Sequence, residues 1–234
     1  MTREEPSETP VALRAYGRRT FLAVTGIGLS SLLWAKPVWQ AVSGAAQPLQ
    51  GVLPSGLVPS SGWRIYTVAA TMPRFDRETW RLRIQGLVEQ PVTLTYDELL
   101  RLPRAEQVSD FHCVTGWSVQ DVHWAGVRFG DLLAAANPRP SATVLKFVSA
   151  ERPYEDTLTL AQAGLADAML AYEMDGEPLR REHGAPVRVV IPEMYGYKNV
   201  KWVERIVVGD HVEPGYWEQR GYDVDAWVGR SNDA

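Results

Sequence analysis

The chain has 234 residues, 45% of them apolar and 22% charged, with a net charge of −4. Residues 1–46 hold five basic and three acidic side chains; the remainder holds 19 basic and 25 acidic ones, a net charge of −6. That acidic balance excludes the basic footprint of a nucleic-acid binder, and ~190 residues are enough for one well-cored domain.

The N-terminus carries Tyr16-Gly17-Arg18-Arg19-Thr20-Phe21-Leu22, and the paired arginines precede an apolar stretch from Phe21 to Ala35 rich in Gly, Ser and Ala. A basic region, a modest apolar region and then small residues form an export signal rather than a domain helix. Arg-Arg followed by Phe-Leu is similar to the twin-arginine signal, which moves folded proteins. Ser43-Gly44-Ala45-Ala46-Gln47 offers a cleavage region. Phe21 to Ala35 is fifteen residues, short of the ~20 that span a bilayer. Removal of 1–46 is therefore favoured over retention as an anchor, which extension through Val42 leaves open. The expected location is the periplasm or the outer face of the membrane, and the expected export partner is the twin-arginine machinery.

Residues 47–62 are rich in Pro, Gly and Ser and read as a linker, leaving 63–234 as the folded domain. Trp80 to Ile84 alternates and predicts a strand. Thr95 followed by Glu98 predicts a capped short helix that Pro103 ends. Gln107 to Cys113 reads as a buried strand entering a loop. A helix is expected over Val127 to Ala136, stopped by Asn137-Pro138. Strands are expected over Val144–Val148, Met169–Met174, Val187–Ile191 and Trp202–Val208, with a short helix at Leu160 to Leu165. The tail from His211 has little periodicity but carries Trp217, Tyr222 and Trp227. Short strands and helices without a regular βαβ period favour an α+β fold of mixed sheets over a doubly wound one.

Cys113 is the only cysteine of the chain. In an oxidising compartment it has no internal disulfide partner, so it is either a small buried hydrophobe or a residue kept for chemistry or ligation. A second cluster runs from His183-Gly184 through Arg188 to Tyr195-Gly196-Tyr197-Lys198-Asn199-Val200-Lys201. A strand arginine followed by a glycine-containing loop with two lysines can form an anion site, most simply for phosphate. From spacing alone, a strand–turn–strand with solvated lysines is the favoured reading.

Together these residues resemble the sulfite oxidase family of molybdopterin proteins, nearer the branch that includes the catalytic subunit of bacterial periplasmic methionine-sulfoxide reductase. The matching pieces are Cys113-Val114-x-x-Trp117-Ser118, Trp124-x-Gly126, Asp131-Leu132-Leu133, His183-Gly184-x-Pro186-x-Arg188 and Tyr195-Gly196-x-Lys198-x-x-Lys201. They extend over residues 63 to about 210. The resemblance implies a sulfite-oxidase-type molybdopterin-binding fold. It also implies a molybdenum–molybdopterin cofactor, with Cys113 as the catalytic residue and thiolate ligand of the metal. A soft thiolate suits that role, and metal binding keeps it deprotonated. By position, Tyr66 and Thr67 would lie along the pterin, and Ser149 would take the place of a family threonine. His183 and Arg188 would contact pterin or phosphate, and Asn199, Val200 and Lys201 would hold the terminal phosphate. His183 stands where the reductase branch carries asparagine.

The implied activity is two-electron oxygen-atom transfer, with reduction of a sulfoxide or N-oxide ahead of sulfite-oxidase-like oxidation. The reductase branch has a glutamate two residues after its cysteine, where this chain has Thr115, so Val114-Thr115-Gly116 reads as an uncharged pocket wall. Arg128 and Arg152 are expected on the surface rather than on a substrate anion. The chain has no Cys-x-x-Cys-His haem motif, which makes a separate membrane haem protein or soluble carrier the expected electron donor. Outside the resemblance, a hydrolase using Cys113 as nucleophile and a cofactor carrier without turnover remain open. His112 is expected to point away from the cysteine's face, since strand neighbours diverge.

Overall fold

The computed structural model describes residues 62–232. The expected export signal, and all but the last residue of the expected linker, lie outside the described residues. The strands and α-helices follow in the order β1 (Arg81–Gly86), β2 (Val92–Thr95), α1 (Tyr96–Leu99), β3 (Ala105–Cys113), β4 (Trp117–Arg128), α2 (Phe129–Ala134), β5 (Val144–Ser149), β6 (Glu155–Thr159), α3 (Leu160–Ala163), β7 (Met169–Met174), β8 (Glu177–Pro178), β9 (Arg188–Val190) and β10 (Val203–Gly209). One sheet is ordered β2-β1-β10-β5-β6; the other is β3-β4-β7-β8, with β9 also paired to β7. The β1–β10 pairing is parallel, and the others are antiparallel. The architecture is the expected α+β one of mixed sheets and short helices. No described helix is long and apolar enough to cross a membrane.

Local chemistry sets the helix starts. The Glu98 N–H donates to Thr95 Oγ1 at 3.2 Å, and the Thr95 N–H donates to Glu98 Oε2 at 2.8 Å, a reciprocal box that satisfies two orphan donors. Thr159 and Gln162 repeat it at α3. The helix expected from Val127 begins only at Phe129. Val127 and Arg128 are still paired to Leu170 and Met169 of β7, so their backbone is committed to the sheet. Phe129, Leu132 and Leu133 then bury one face at helical spacing.

Strand β4, the longest strand, alternates over Trp117–Gln120 and again over Val122–Trp124, and the phase slips between them at Asp121. Its register with β3 shifts between Ser109 and Phe111, and Asp121 takes φ +53° while donating its N–H to Asp110 Oδ1 at 3.0 Å. Such a bulge breaks the period-two alternation that marks a strand. Farther along β4, a Cβ on Gly126 would lie 2.2 Å from the Leu170 carbonyl oxygen, so only glycine lets β4 close against β7 there. β3 itself is half-exposed rather than buried.

Two apolar clusters hold the fold. The larger includes Leu82, Ile84, Phe129, Phe147, Leu158, Leu170 and Ile206, and Trp217, Tyr222 and Trp227 of the tail pack against it. The smaller gathers Val122, Trp124, Met169, Ala171, Leu179 and Val190, with Trp63 laid on it. Burial of such surface is worth ~25 cal/mol per Å2, which is how a tail without periodicity stays ordered.

Candidate functional site

Cys113 ends β3, and Val114, Thr115 and Gly116 turn the chain to Trp117, the register partner of Cys113 on β4. Gly116 has φ +86° and donates its N–H to the Cys113 carbonyl at 3.0 Å. A three-residue hairpin loop uses a left-handed last residue, which glycine adopts without steric cost. The loop brings Thr115 Oγ1 to 3.2 Å from Cys113 Sγ. His112 faces elsewhere as expected, with its Nδ1 2.8 Å from Ser118 Oγ.

The cysteine lies in the wall of a cleft with about 970 Å3 of empty space, its opening to solvent included. Arg188 of β9, His183 from the 3-10 turn Arg181–His183, and Lys201 just before β10 line the same cleft. Arg188 is almost fully buried. Its guanidinium donates to the carbonyls of His183 (3.2 Å) and Asn199 (3.5 Å) and lies 5.3 Å from the ring centres of both Phe111 and Trp124. Among the described residues no carboxylate pairs with it. Burial lowers its pKa to about 10. Lys201 donates from Nζ to the carbonyls of Tyr66 (2.8 Å) and Glu182 (3.2 Å). Burial, then the charge of Arg188, lowers its pKa to about 7, against opposition from Glu151 and Glu182. Burial and the cations Arg188, Lys201 and Arg180 hold His183 down at about 3, a neutral ring. Its Nδ1 is buried without a partner.

Two backbone features fix this corner. Gly184 has φ +107°, and a Cβ there would lie 2.9 Å from the Lys201 Cβ. Trp202, fully buried, sits at φ +52°, a conformation a bulky residue adopts only where its surroundings over-determine it. Its Nε1 donates to the Arg181 carbonyl at 2.8 Å.

Of the residues expected to hold a cofactor, Tyr66, Cys113, His183, Arg188, Asn199 and Lys201 line the cleft. Thr67, Ser149 and Val200 do not. Thr67 donates its hydroxyl to the Ala69 carbonyl at 3.1 Å. Ser149 donates to the Lys201 carbonyl at 2.8 Å and accepts from the Glu151 N–H at 2.9 Å, so it steadies the loop behind the site. The Val200 N–H and C=O are already bonded to Lys198 and Val189. Lys198, which the sequence suggests as part of an anion loop or as solvated, is neither. It is fully buried, donates to Asp156 Oδ1 at 2.8 Å and to the Thr157 carbonyl at 3.1 Å, and pairs with Glu218. Arg152 is paired with Glu204, and Arg128 donates to Gln107; both lie off the cleft.

Several lining residues carry no signal in the sequence. Glu151 Oε1 accepts the N–H groups of Val68 (2.8 Å) and Ala69 (3.2 Å), which together with the Lys201–Tyr66 bond pins segment 63–69 beside the cleft. Trp63 of that segment lies 4.9 Å from Phe111 and 5.0 Å from His183, ring centre to ring centre. Tyr154, Tyr197, Trp217 and Tyr222 complete the far wall. No local motif marks any of them, because their roles depend on partners distant in sequence.

A buried arginine and a half-buried lysine, neither paired with a carboxylate among the described residues and both beside a neutral histidine, have the chemistry to hold an anion. Among the described residues no three His, Cys, Asp or Glu side chains converge as a metal cage, so a metal at Cys113 would draw most of its ligands from a bound group. The donor set thus fits a phosphate-bearing chelate with a single protein thiolate.

The charge of Lys201 gives a pH test on the cofactor-free protein. Its pKa falls from 10.5 to about 7 on folding, so between those values the unfolded chain carries a proton that the folded one lacks. That difference raises stability with pH inside the window, and the folded state carries the repelled charge below about 7. An anion needs that charge. Millimolar sulfate is expected to raise the melting temperature more at pH 6 than at pH 8.5, and Lys201→Met should abolish the difference, as read by calorimetry.

The family model described as the oxidoreductase molybdopterin binding domain matches residues 69–217. The chain is 38% identical over 154 residues to the uncharacterized oxidoreductase YuiH of Bacillus subtilis, covering 65% of this chain and 77% of that protein. It is 35% identical over 161 residues to the protein-methionine-sulfoxide reductase catalytic subunit MsrP of Gluconobacter oxydans, covering 62% of this chain and 51% of that one. Among solved structures, the sulfane dehydrogenase SoxCD of Paracoccus pantotrophus superposes with a TM-score of 0.57 at 29% identity, over 60% of this chain and 41% of its own. The chain thus spans about three quarters of YuiH but only about half of MsrP.

Proposed function

Since the chain belongs to the oxidoreductase molybdopterin-binding family, we propose that Cys113 ligates the molybdenum of a molybdopterin held in this cleft and that the enzyme reduces a sulfoxide or N-oxide. The observation that carries the reading is the pair of cations, buried Arg188 and half-buried Lys201, in the same cleft as Cys113 and without a carboxylate partner among the described residues. They would hold the phosphate of the cofactor, and His183 and Tyr66 would flank the pterin. When bound, the cofactor supplies two-electron oxygen-atom chemistry. Two electrons and two protons convert a sulfoxide to a thioether and one water. The chain's own residues orient the substrate and limit water around it. Phe111, Val114, Thr115 and Trp117 surround the cysteine with uncharged surface, which suits a neutral acceptor better than a sulfite anion. No described histidine hydrogen-bonds to Cys113, which disfavours the cysteine hydrolase.

We assign the electrons to a separate haem protein of the membrane or a soluble carrier, because the sequence has no covalent haem motif. Export by the twin-arginine route to the periplasmic side follows from Arg18-Arg19 and the stretch after them. Elemental analysis and pterin extraction of the natively exported protein are expected to show one molybdenum per chain. Dye-linked assays are expected to show sulfoxide reduction well above sulfite oxidation. Protein without molybdenum, or loaded protein that only oxidises sulfite, would overturn the respective half of the proposal, and loaded protein without any turnover would make it a carrier.

A further inference from the structure

The hairpin loop between β3 and β4 places one hydroxyl against the cysteine sulfur: Thr115 Oγ1 lies 3.2 Å from Cys113 Sγ. Among the described residues it is the sole hydrogen-bond partner of that sulfur. In the thiol either atom can donate. A ligating sulfur has lost its proton and can only accept, so the bond then runs from the Thr115 O–H to Sγ. Residue type matters here, since a neutral hydroxyl donates and an ionised carboxylate in its place could not. A donor on a ligating sulfur draws charge away from it, weakens its donation to the metal and favours the more reduced metal. Hydrogen bonding around sulfur ligands is a main lever on the potentials of such centres.

The loop is constructed to keep this contact. Gly116 closes it through the bond to the Cys113 carbonyl, Val114 packs against the larger core, and a β-branched threonine has few side-chain rotamers to choose from. Thr115 and Cys113 both line the cleft, so the contact belongs to the wall a bound group would meet.

Resting on the reading of Cys113 as the metal ligand, we propose that Thr115 is a positioning residue. By donating a hydrogen bond to the ligating sulfur it raises the reduction potential of the centre and so eases reloading by the electron donor. The test compares natively loaded wild-type protein with Thr115→Val, which keeps shape and loses the donor, and Thr115→Ser, which keeps the donor. Each is titrated at poised potential while its paramagnetic one-electron state is followed by electron paramagnetic resonance, with molybdenum content measured in parallel. The midpoint is expected to move to lower potential in Thr115→Val and to return to the wild-type value in Thr115→Ser. The midpoint is read on the loaded fraction, so partial loading does not obscure it. An unshifted midpoint in Thr115→Val overturns the proposal. Wild-type protein that carries no molybdenum overturns instead the ligand assignment beneath it.

Discussion

Cys113→Ala is expected to lose turnover by at least ~100-fold while the chain still folds. Changes to groups that merely support a ligand cost ~10–100-fold, and on the proposed reading the loss of this thiolate removes the ligand itself. The side chain is only half-buried at the end of β3, and its neighbours are held by the hairpin bonds rather than by the sulfur. Stability should therefore stay within about 1 kcal/mol of wild type. The measurement is molybdenum content and dye-linked reduction, alongside urea unfolding. Full activity in the variant would remove the cysteine from the mechanism.

Lys198→Ala should be the most destabilising single change near the site, by about 3–5 kcal/mol, a large share of the ~5–15 kcal/mol typical of a domain. The ammonium sits between Asp156 and Glu218, and all three are essentially sealed from water. Glu218 Oε2 also accepts the Gly215 N–H at 2.8 Å, and a Cβ on Gly215 would lie 2.6 Å from the Asp156 carboxyl carbon. Removing the cation leaves two carboxylates in a dry pocket. Burial already raises the Asp156 pKa, against Lys198 and with help from Glu218. Without Lys198 the folded state binds protons more tightly still than the unfolded chain does. The sign follows: the variant's deficit shrinks as pH falls and Asp156 protonates, and grows as pH rises through the folded pKa of Asp156. Urea midpoints at pH 5.5 and 8 measure this. A variant with the wild-type midpoint at both would show that the triad contributes nothing.

Residue type alone leaves Cys113, Arg188 and Lys201 open between structural and binding roles, and the order of motifs shared with the family singles them out. The three do line one cleft. Lys198 shows where that logic ends. It lies three residues from Lys201 in the same loop, yet it serves two acids 42 and 20 residues away, which leave no local trace. Strand β6 is hidden for the same reason, since its Asp156 and Thr157 are buried polar residues that make sense only once Lys198 is in place. Glu151 is another such case, because its partners Val68 and Ala69 lie more than 80 residues earlier. The capped helices, by contrast, need only a threonine and an acid or amide three residues on.

The cleft is assembled from both ends of the described chain. Its walls include Trp63 and Tyr66 at one end and Trp217 and Tyr222 at the other, and one of its bonds, Lys201 to Tyr66, closes a separation of 135 residues. A chain still emerging from the ribosome therefore lacks the pocket until Tyr222 has been made and the tail has docked. Contacts of such long sequence separation form late and at high entropic cost, and a ligand that binds only the finished fold stabilises it by mass action. A ligand of this cleft would then be taken up only after Tyr222 has been made, and its uptake would report that both ends of the domain have folded together.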